Sequence, residues 1–253
     1  MTTYENLSNR VALVTGAASG MGEATALLLA ASGAKVALLA RRLDRLTELA
    51  EKITANGGQA IAVAADVADK AAVSAAAERV HDHFGPVDLL VNAAGVMLPN
   101  PITDGRDDQW TRMIDTNLTG VLRVTDAFLP DLLAAAEAGR TADLVNISSV
   151  GAHLAFQNYA VYCATKAALT HWSASIRTEL GPKNVRVTNI EPGLVDTELA
   201  DHLDPKMAEE LATMFDGMAG LSSTDIADLI GFATSRPKQV NLRQVMVLPT
   251  NQA

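Results

Sequence analysis

The chain has 253 residues, of which 49% are hydrophobic, and its formal net charge is −9. An acidic chain without a long basic run is a poor partner for nucleic acid or an anionic membrane, and its single cysteine, Cys163, excludes an internal disulfide. No apolar run reaches the length of a membrane span and the first residues lack an apolar signal core, so we expect a cytoplasmic protein.

Short apolar runs alternate with helical stretches along the whole chain. The predicted strands are Val11–Thr15, Lys35–Ala40, Ala60–Ala64, Val87–Asn92, Leu144–Ile147, Val185–Ile190 and Gln244–Leu248. The predicted helices are Met21–Ala31, Leu43–Ala55, Lys70–Phe84, Asp107–Ala138 (two helices or one bent helix), Asn158–Leu180 and Thr224–Thr234. Strands that are apolar throughout are typical of a parallel sheet covered by helices on both faces. We therefore predict a single doubly wound α/β domain over residues 1–253, with a parallel sheet of about seven strands.

The turn between the first strand and the first helix is rich in glycine. From Thr15 to Gly22 it reads TGAASGMG, with further glycines at positions Gly16 and Gly20. Such a turn lets the backbone approach a pyrophosphate, whose charge is stabilised by the helix N-terminus. In this strand–turn–helix context the pattern favours dinucleotide binding over a plain turn with incidental glycines.

A second pattern lies between Ser149 and Lys166. Ser149 ends an apolar run, and Tyr162 and Lys166 stand four residues apart in the predicted helix Asn158–Leu180. At this spacing both side chains leave the same helix face one turn apart. An ammonium near a phenol favours the phenolate, so the pair is suited to proton transfer near neutral pH. Standing alone, the same two residues would be read as an accidental pair on a surface helix.

Together these residues resemble the short-chain dehydrogenase/reductase family, in its branch of about this length, over nearly the whole chain. The resemblance implies a Rossmann-type fold. Ala93 departs from the family pattern, because NNAG has its second Asn there, and the departure weakens one contact that supports the strand. The motifs that match in order and spacing are TGxxxGxG at Thr15, Gly16, Gly20 and Gly22, Asp-Val at Asp66 and Val67, NNAG at Asn92–Gly95, the active-site Asn at Asn117, Ser149 with YxxxK at Tyr162 and Lys166, and PG with its Thr at Pro192, Gly193 and Thr197.

The resemblance also implies a catalytic role for four residues. Tyr162 would protonate a carbonyl oxygen while hydride arrives from a nicotinamide, and Ser149 would donate a hydrogen bond to the same oxygen. Lys166 would lower the pKa of Tyr162 and hold the nicotinamide ribose. Asn117 would anchor a water that connects Lys166 to solvent. Taken singly, Ser149 also fits a turn, Asn117 a helix interruption and Lys166 a solvated helix face.

The residues after the second predicted strand indicate that the cofactor is NADP. Folds that prefer NAD place a carboxylate there, which accepts from the ribose 2′-hydroxyl and repels a 2′-phosphate. Here Ala40 takes that position, Arg41 and Arg42 follow, and Asp44 is the first carboxylate. We expect Arg41 to contact the phosphate; the alternative is that both arginines are solvated residues leading into the helix. The cofactor-binding residues are predicted to be Gly16, Ser19, Gly20, Met21, Gly22, Arg41, Arg42, Asp66, Val67, Asn92, Ala93, Gly95, Tyr162, Lys166, Pro192, Gly193, Val195 and Thr197.

The expected substrate is a small to medium, largely apolar ketone or aldehyde, or the corresponding alcohol. The histidines show no metal-ligand spacing, so no metal is predicted. The family places a substrate lid after the PG turn, here at about 194–223, where flexible apolar side chains suit an adaptable pocket. Those side chains include Met207, Met214, Phe215 and Met218, and the residues predicted to contact substrate are Met97, Leu98, His153, Leu154, Phe156, Tyr159 and Leu194.

Two other functions remain open. The first is a 3-oxoacyl thioester reductase, in which basic groups such as Arg140 and Lys183 would meet an acidic carrier. The second is a non-catalytic NADP-binding sensor, against which the intact set of Ser149, Tyr162 and Lys166 argues. The resemblance implies tetramers, which relatives form through the helices corresponding to Asp107–Ala138 and Asn158–Leu180, so we expect a homotetramer with two-fold interfaces.

Overall fold

A parallel sheet is the centre of the fold. The structure is a computed structural model, and it describes residues 3–199, 203–214 and 217–252. Within these residues the strands are β1 (Val11–Thr15), β2 (Lys35–Ala40), β3 (Gln59–Ala64), β4 (Leu89–Asn92), β5 (Ala142–Ile147), β6 (Val185–Pro192), β7 (Val195–Asp196), β8 (Leu221–Ser222) and β9 (Gln244–Val247). Seven of them form one sheet in the order β3-β2-β1-β4-β5-β6-β9, in which every neighbouring pair is parallel. The predicted parallel α/β sheet is confirmed.

Helices cover both faces of this sheet. Leucines and isoleucines of α1, α2 and α8 join one buried cluster, and apolar side chains of α3, α5 and α6 join the cluster on the other side. The strand order reverses between β1 and β4, which is where doubly wound folds open a crevice at the carboxyl ends of the strands. The helices are α1 (Gly20–Ala31), α2 (Leu43–Ala55), α3 (Lys70–Phe84), α4 (Asp107–Ile114), α5 (Gly120–Glu137), α6 (Ala160–Leu180), α7 (Pro205–Met214) and α8 (Ser223–Thr234).

The strand β1 explains why the central strands are apolar throughout. Ala12 and Val14 pack into the cluster shared with α1, whereas Val11 and Leu13 pack into the cluster on the opposite face. Successive side chains of a strand point to opposite faces, so a sheet with helices on both sides requires an apolar residue at every position. This double burial is the physical basis of the pattern seen in the sequence.

The stretch Asp107–Ala138, predicted to form two helices or one bent helix, forms two helices, α4 and α5, joined by a π-helical turn at Asp115–Thr119. The last long helix begins at Ala160 rather than at Asn158, because Asn158 has a left-handed backbone with φ +71°. Among the described residues, none of the helices has both the length and the apolarity that crossing a membrane requires.

Buried ion pairs join the amino ends of the central strands, at the edge opposite the crevice. Arg186 on β6 makes a two-pronged contact with Asp143 on β5, with distances of 2.7 and 2.8 Å. Arg10 donates to Asp143 at 3.0 Å and to Asp88 at 2.5 Å. All four side chains are buried, so the strand ends are tied together through paired charges.

Candidate active site

The glycine-rich turn forms the floor of an open cleft with about 1330 Å³ of empty space. Gly16 has φ +67°, and a Cβ atom there would lie 2.8 Å from the Cα of Ala94. A Cβ at Gly22 would lie 2.3 Å from the carbonyl oxygen of Gly16. The turn is therefore restricted to bare backbone, and α1 starts within it at Gly20, with its free amides lining the cleft. This cradle fits the pyrophosphate of a dinucleotide.

The other walls of the cleft come from the segments after β3 and β4, including Asp66, Val67 and Gly95. Four of the predicted cofactor contacts do not line the cleft: Pro192, Gly193 and Val195 line a neighbouring cavity instead, and Asn92 lines neither space. Its amide nitrogen donates to Asn146 at 2.9 Å inside the sheet, so Asn92 supports neighbouring strands. The expectation that Asn92 contacts the cofactor is corrected by this orientation.

Arg41 and Arg42 both lie at the rim of the cleft beside Ala40, and both are exposed. The Nη2 atom of Arg42 donates to a carboxylate oxygen of Glu198 at 3.2 Å and to the carbonyl oxygen of Ala18 at 3.4 Å. This ion pair connects the end of β2 to the segment that follows β7. Both arginines are thus placed beside the cleft, and Arg42 already forms an ion pair with Glu198.

Tyr162 and Lys166 lie one turn apart on α6 and are both buried. The ammonium of Lys166 lies 5.8 Å from the centre of the Tyr162 ring and donates to the carbonyl oxygen of Ile147 at 2.9 Å. This contact attaches the reactive face of α6 to the end of β5. The pair is therefore held at the carboxyl edge of the sheet and does not lie on a surface helix.

The pKa values of this pair differ from the sequence-based expectation. Burial raises the pKa of Tyr162 to about 12, and the hydrogen bond with Ser149 opposes that shift without cancelling it. Burial lowers the pKa of Lys166 to about 8, because the ammonium loses water. The expected lowering of the Tyr162 pKa is therefore reversed, because desolvation of the phenol is the largest cause of its shift.

Ser149 follows β5 and begins a short 3₁₀ turn at Val150–Ala152. Its hydroxyl oxygen accepts from the backbone amide of Gly151 at 3.0 Å, which fixes the side chain. A Cβ atom at Gly151 would lie 3.4 Å from this hydroxyl and 3.5 Å from the Cε1 atom of Tyr162. The turn thus brings Ser149 and Tyr162 to the same place.

Asn117 lies in the π-helical turn between α4 and α5 and is buried. Its side-chain oxygen accepts from the backbone amide of Val96 at 2.8 Å, and its nitrogen donates to the Val96 carbonyl at 2.9 Å. A Cβ atom at Gly95 would lie 3.4 Å from Asn117 and 3.7 Å from the ammonium of Lys166. The π-helical turn therefore directs the side-chain amide of Asn117 into the protein beside Lys166. There the amide binds the backbone of Val96 in the segment after β4.

A second cavity, with about 950 Å³ of empty space, adjoins the cleft. Of the predicted substrate contacts, Met97, Phe156, Tyr159 and Leu194 line it. Three others do not. The ring of His153 lies 2.9 Å from a carboxylate oxygen of Glu191, Leu154 is 46% exposed, and Leu98 is buried in a neighbouring apolar cluster. These three positions are corrections to the predicted pocket.

The predicted lid is partly described. The short strands β7 and β8 pair in parallel, and the backbone amide of Leu221 donates to the carbonyl of Leu194 at 2.9 Å. On α7, Met207 is buried and Glu210 accepts from Asn158 at 2.9 Å. Met218 is half-buried. Phe215 and the side chain of Met214 lie outside the described residues.

Comparison with known proteins decides the family. A family model described as short chain dehydrogenase matches residues 10–208. The chain belongs to the short-chain dehydrogenase/reductase family. A serine 3-dehydrogenase of Rhizobium radiobacter is 37% identical over 244 residues, which cover 95% of this chain and 94% of that protein.

Two solved members of this family show how close the folds are. The closed form of a serine dehydrogenase complexed with NADP+ matches with a TM-score of 0.87 and 30% identity, over 96% of each chain. A 3-ketoacyl-(acyl-carrier-protein) reductase from Brucella melitensis, complexed with NADH, matches with a TM-score of 0.86 and 29% identity. That match covers 96% of this chain and 98% of the reductase.

In this short-chain dehydrogenase/reductase Gln252 also lines the second cavity, and the sequence analysis missed it. Its side-chain oxygen accepts from the backbone amide of Leu194 at 2.8 Å. A Cβ atom at Gly193 would lie 2.1 Å from that same oxygen, so the glycine leaves room for Gln252. Because Leu194 and Gln252 lie 58 residues apart in the chain, no local pattern links them.

A buried carboxylate, Glu191, is the second residue that the sequence analysis missed. It is fully buried at the end of β6 and accepts from Thr170 at 2.9 Å and from Gln244 at 3.0 and 3.1 Å. Its contact with His153 joins the turn after Ser149 to the sheet. Only the packing of separate chain segments creates this cluster, so neighbouring sequence gives no signal for it.

Proposed function

We propose that this protein is an NADP-dependent oxidoreductase, which interconverts a small to medium, largely apolar ketone or aldehyde and its alcohol. The observation that carries the proposal is that the glycine-floored cleft and the second cavity meet at Tyr162. The residues that line both are Met21, Met97, Ser148, Tyr162, Thr197 and Leu199. A substrate in the second cavity therefore reaches the phenol at the junction of the two spaces.

The protonation states support the reducing direction. When bound, NADP(H) supplies or accepts the hydride. Tyr162, whose pKa is about 12, holds its proton at neutral pH and acts as the proton donor to a carbonyl oxygen. Ser149, fixed by the amide of Gly151, donates a hydrogen bond to the same oxygen. Lys166, whose pKa is about 8, is mostly protonated at neutral pH and supplies positive charge beside the phenol.

NADP is proposed as the cofactor because two arginines and no carboxylate follow β2 at the rim of the cleft. Arg41 and Arg42 line the space beside Ala40 and favour a 2′-phosphate. The serine dehydrogenase among the related structures holds NADP+, and further matching structures hold 5-hydroxy-NADP or NADPH. The Brucella melitensis reductase holds NADH, so the preference of this chain rests chiefly on its own arginines.

The lining of the second cavity disfavours a negatively charged substrate, since its charged residue in the described part of the chain is Asp196. Among the described residues that line it, none carries a positive charge, whereas Phe156, Leu194 and Leu199 offer apolar surface. A carboxylate substrate such as serine would therefore lack a charged partner within the described lining. For this reason we propose a neutral ketone or aldehyde, even though one of the related proteins is a serine 3-dehydrogenase.

The rival function, a 3-oxoacyl thioester reductase, finds support in the fold of the Brucella melitensis reductase. The two basic residues expected to meet an acidic carrier lie elsewhere. Arg140 donates to Asp88 at 3.0 Å at the amino edge of the sheet, and Lys183 lies just before β6 at the same edge. Both are therefore on the side opposite the cleft, which argues against this use of them.

One assay separates these functions. Purified protein is incubated with NADPH and a panel of neutral ketones, neutral aldehydes and one 3-oxoacyl thioester, and the loss of NADPH is followed. Our proposal requires turnover of neutral ketones or aldehydes that Tyr162→Phe abolishes. Turnover of the thioester alone would favour the rival, and NADPH binding without turnover of any compound would favour a non-catalytic sensor.

A homotetramer, in a cytoplasmic location, completes the proposal. The helices α5 and α6 are long and carry apolar residues on more than one face, and Ile114 at the end of the short helix α4 is 44% exposed. Such faces suit packing against a second copy around two-fold axes. Light scattering at micromolar concentration tests this assembly, and a monomeric mass would contradict it.

A further inference from the structure

Glu191 is a fully buried carboxylate that the proposed proton transfer does not use. Its side-chain hydrogen-bond donors come from four parts of the fold, and they are Asn189 on β6, Thr170 on α6, Gln244 on β9 and His153 in the turn after β5. Of these donors in the described part of the chain, His153 is the one that can carry a positive charge. Because a buried carboxylate depends on its partners, Glu191 joins these segments firmly at the end of β6.

The turn formed by residues 149–153, the Ser149 turn, is attached to Glu191 at both ends. At its far end the Nε2 atom of His153 lies 2.9 Å from a carboxylate oxygen of Glu191. An ionised carboxylate only accepts, so the imidazole is the donor in this contact. On the other side, the Ser148 hydroxyl lies 2.9 Å from the Thr170 hydroxyl, which donates to Glu191 at 2.9 Å. The chain before and after Ser149 is thus fixed by the same carboxylate.

Hydrogen bonds inside the Ser149 turn connect its two ends. The backbone amide of Ala152 donates to the carbonyl oxygen of Ser149 at 3.0 Å, and that of His153 donates to the carbonyl oxygen of Val150 at 2.9 Å. The amide of Gly151 donates to the Ser149 hydroxyl at 3.0 Å. The direction of that hydroxyl therefore depends on the path of the turn, and His153 fixes the far end of this path.

We propose that the contact between His153 and Glu191 positions Ser149 for its hydrogen bond to the reacting oxygen. Neither residue is part of the described lining of the cleft or of the second cavity, so both act through Ser149 as positioning residues. This inference rests on the proposed function, because it assigns the contact a role in the same reaction. Loss of His153 should therefore impair the chemical step and leave cofactor binding intact.

The kinetic test compares two substitutions of one residue. His153→Leu removes the nitrogen donor, whereas His153→Gln keeps a nitrogen donor at a similar reach. With NADPH and the ketone or aldehyde that wild type reduces fastest, we expect kcat to fall about 10- to 100-fold in His153→Leu, since a small misplacement of a catalytic group has an effect of this size. The KM for NADPH should stay unchanged, and His153→Gln should recover most of the turnover. Unchanged kcat in His153→Leu, or equal losses in both variants, would overturn the inference.

A double variant distinguishes positioning from general damage to the fold. Ser149→Ala alone should lower kcat about 10²–10³-fold, and adding His153→Leu should lower it little further, because the positioned hydroxyl is already absent. Losses that multiply would show that His153 acts independently of Ser149, against the proposal. The matched control is His81→Leu, which should keep the kcat of wild type. His81 contacts Asp131 at 2.7 Å outside the described lining of both spaces, and its side chain is 39% exposed, against 37% for His153.

Hydrogen exchange tests the same attachment without turnover. Amide exchange of a peptide covering residues 149–154 is measured by mass spectrometry in the folded protein. We expect faster exchange in His153→Leu, and wild-type exchange in His153→Gln and His81→Leu. Unchanged exchange in His153→Leu would refute the attachment whether or not the protein turns over a substrate. If exchange becomes faster in His153→Leu but wild type reduces no ketone or aldehyde, the proposed function fails while the attachment of the Ser149 turn to Glu191 stands.

Discussion

The cofactor preference can be tested by replacing the residues that follow β2. The double substitution Ala40→Asp with Arg41→Ala introduces a carboxylate at the rim of the cleft and removes the arginine that we assign to the 2′-phosphate. Ala40 and Arg41 both line the cleft, so the change acts directly on this part of the site. We expect wild type to prefer NADPH and the double variant to lose or reverse that preference.

The magnitude follows from the environment of the two arginines. A hydrogen bond to a charged group contributes about 1.5–3 kcal/mol, so losing the Arg41 contact should weaken NADPH binding by about one to two orders of magnitude. Arg42 already pairs with Glu198 at 3.2 Å, and its side chain is 45% exposed. Because the Glu198 carboxylate already offsets part of the Arg42 charge, we expect Arg42→Ala to weaken NADPH binding less than Arg41→Ala does.

The assay is kcat/KM for NADPH and for NADH in wild type, the double variant, Arg41→Ala and Arg42→Ala. Arg45→Ala is the control, because Arg45 lies exposed on α2 outside the cleft lining and its loss changes net charge equally. The control should keep the preference of wild type. A wild-type enzyme that works better with NADH would refute the reasoning, and an equal effect of Arg42→Ala would move the phosphate contact to Arg42.

The remaining predictions concern the acid, its charged neighbour and the buried ion pairs. Tyr162→Phe removes only the hydroxyl, so NADPH binding should persist while turnover falls about 10²–10⁴-fold, and near-normal turnover would contradict the role. Lys166→Ala should lower both turnover and NADPH affinity. In wild type the NADPH affinity should fall as pH rises through about 8, where the Lys166 ammonium loses its proton. If Lys166→Ala showed the same fall in affinity, Lys166 would be excluded as its cause. Arg186→Leu leaves Asp143 buried without its two-pronged partner and should destabilise the fold by about 3–5 kcal/mol in denaturant unfolding, with an unchanged midpoint as the contrary result.

Much of the architecture could be predicted from the sequence, because the patterns that indicate it are short stretches of the chain. The apolar strands follow from burial on both sheet faces, as Ala12 and Leu13 illustrate by packing into opposite clusters. The glycine pattern follows from close approach, since a side chain at Gly22 would collide with the backbone of Gly16. The spacing of Tyr162 and Lys166 follows from helix geometry. Each of these signals depends on residues near one another in the chain, so the sequence alone carries it.

Other features depended on which segments pack together. The direction of the Tyr162 pKa shift reflects burial, which neighbouring residues do not reveal. His153 turns towards Glu191, which lies 38 residues away, and so leaves the pocket predicted for it.

The Tyr159 hydroxyl is buried without a hydrogen-bond partner, and this depends on the whole packing, because a donor is unpaired only when every surrounding segment has been placed. The sequence by itself determined the sheet, the glycine-rich turn and the spacing of the catalytic motif. The tertiary structure decided which side chains are buried, paired or left without a partner, because those states depend on contacts between residues far apart in the chain.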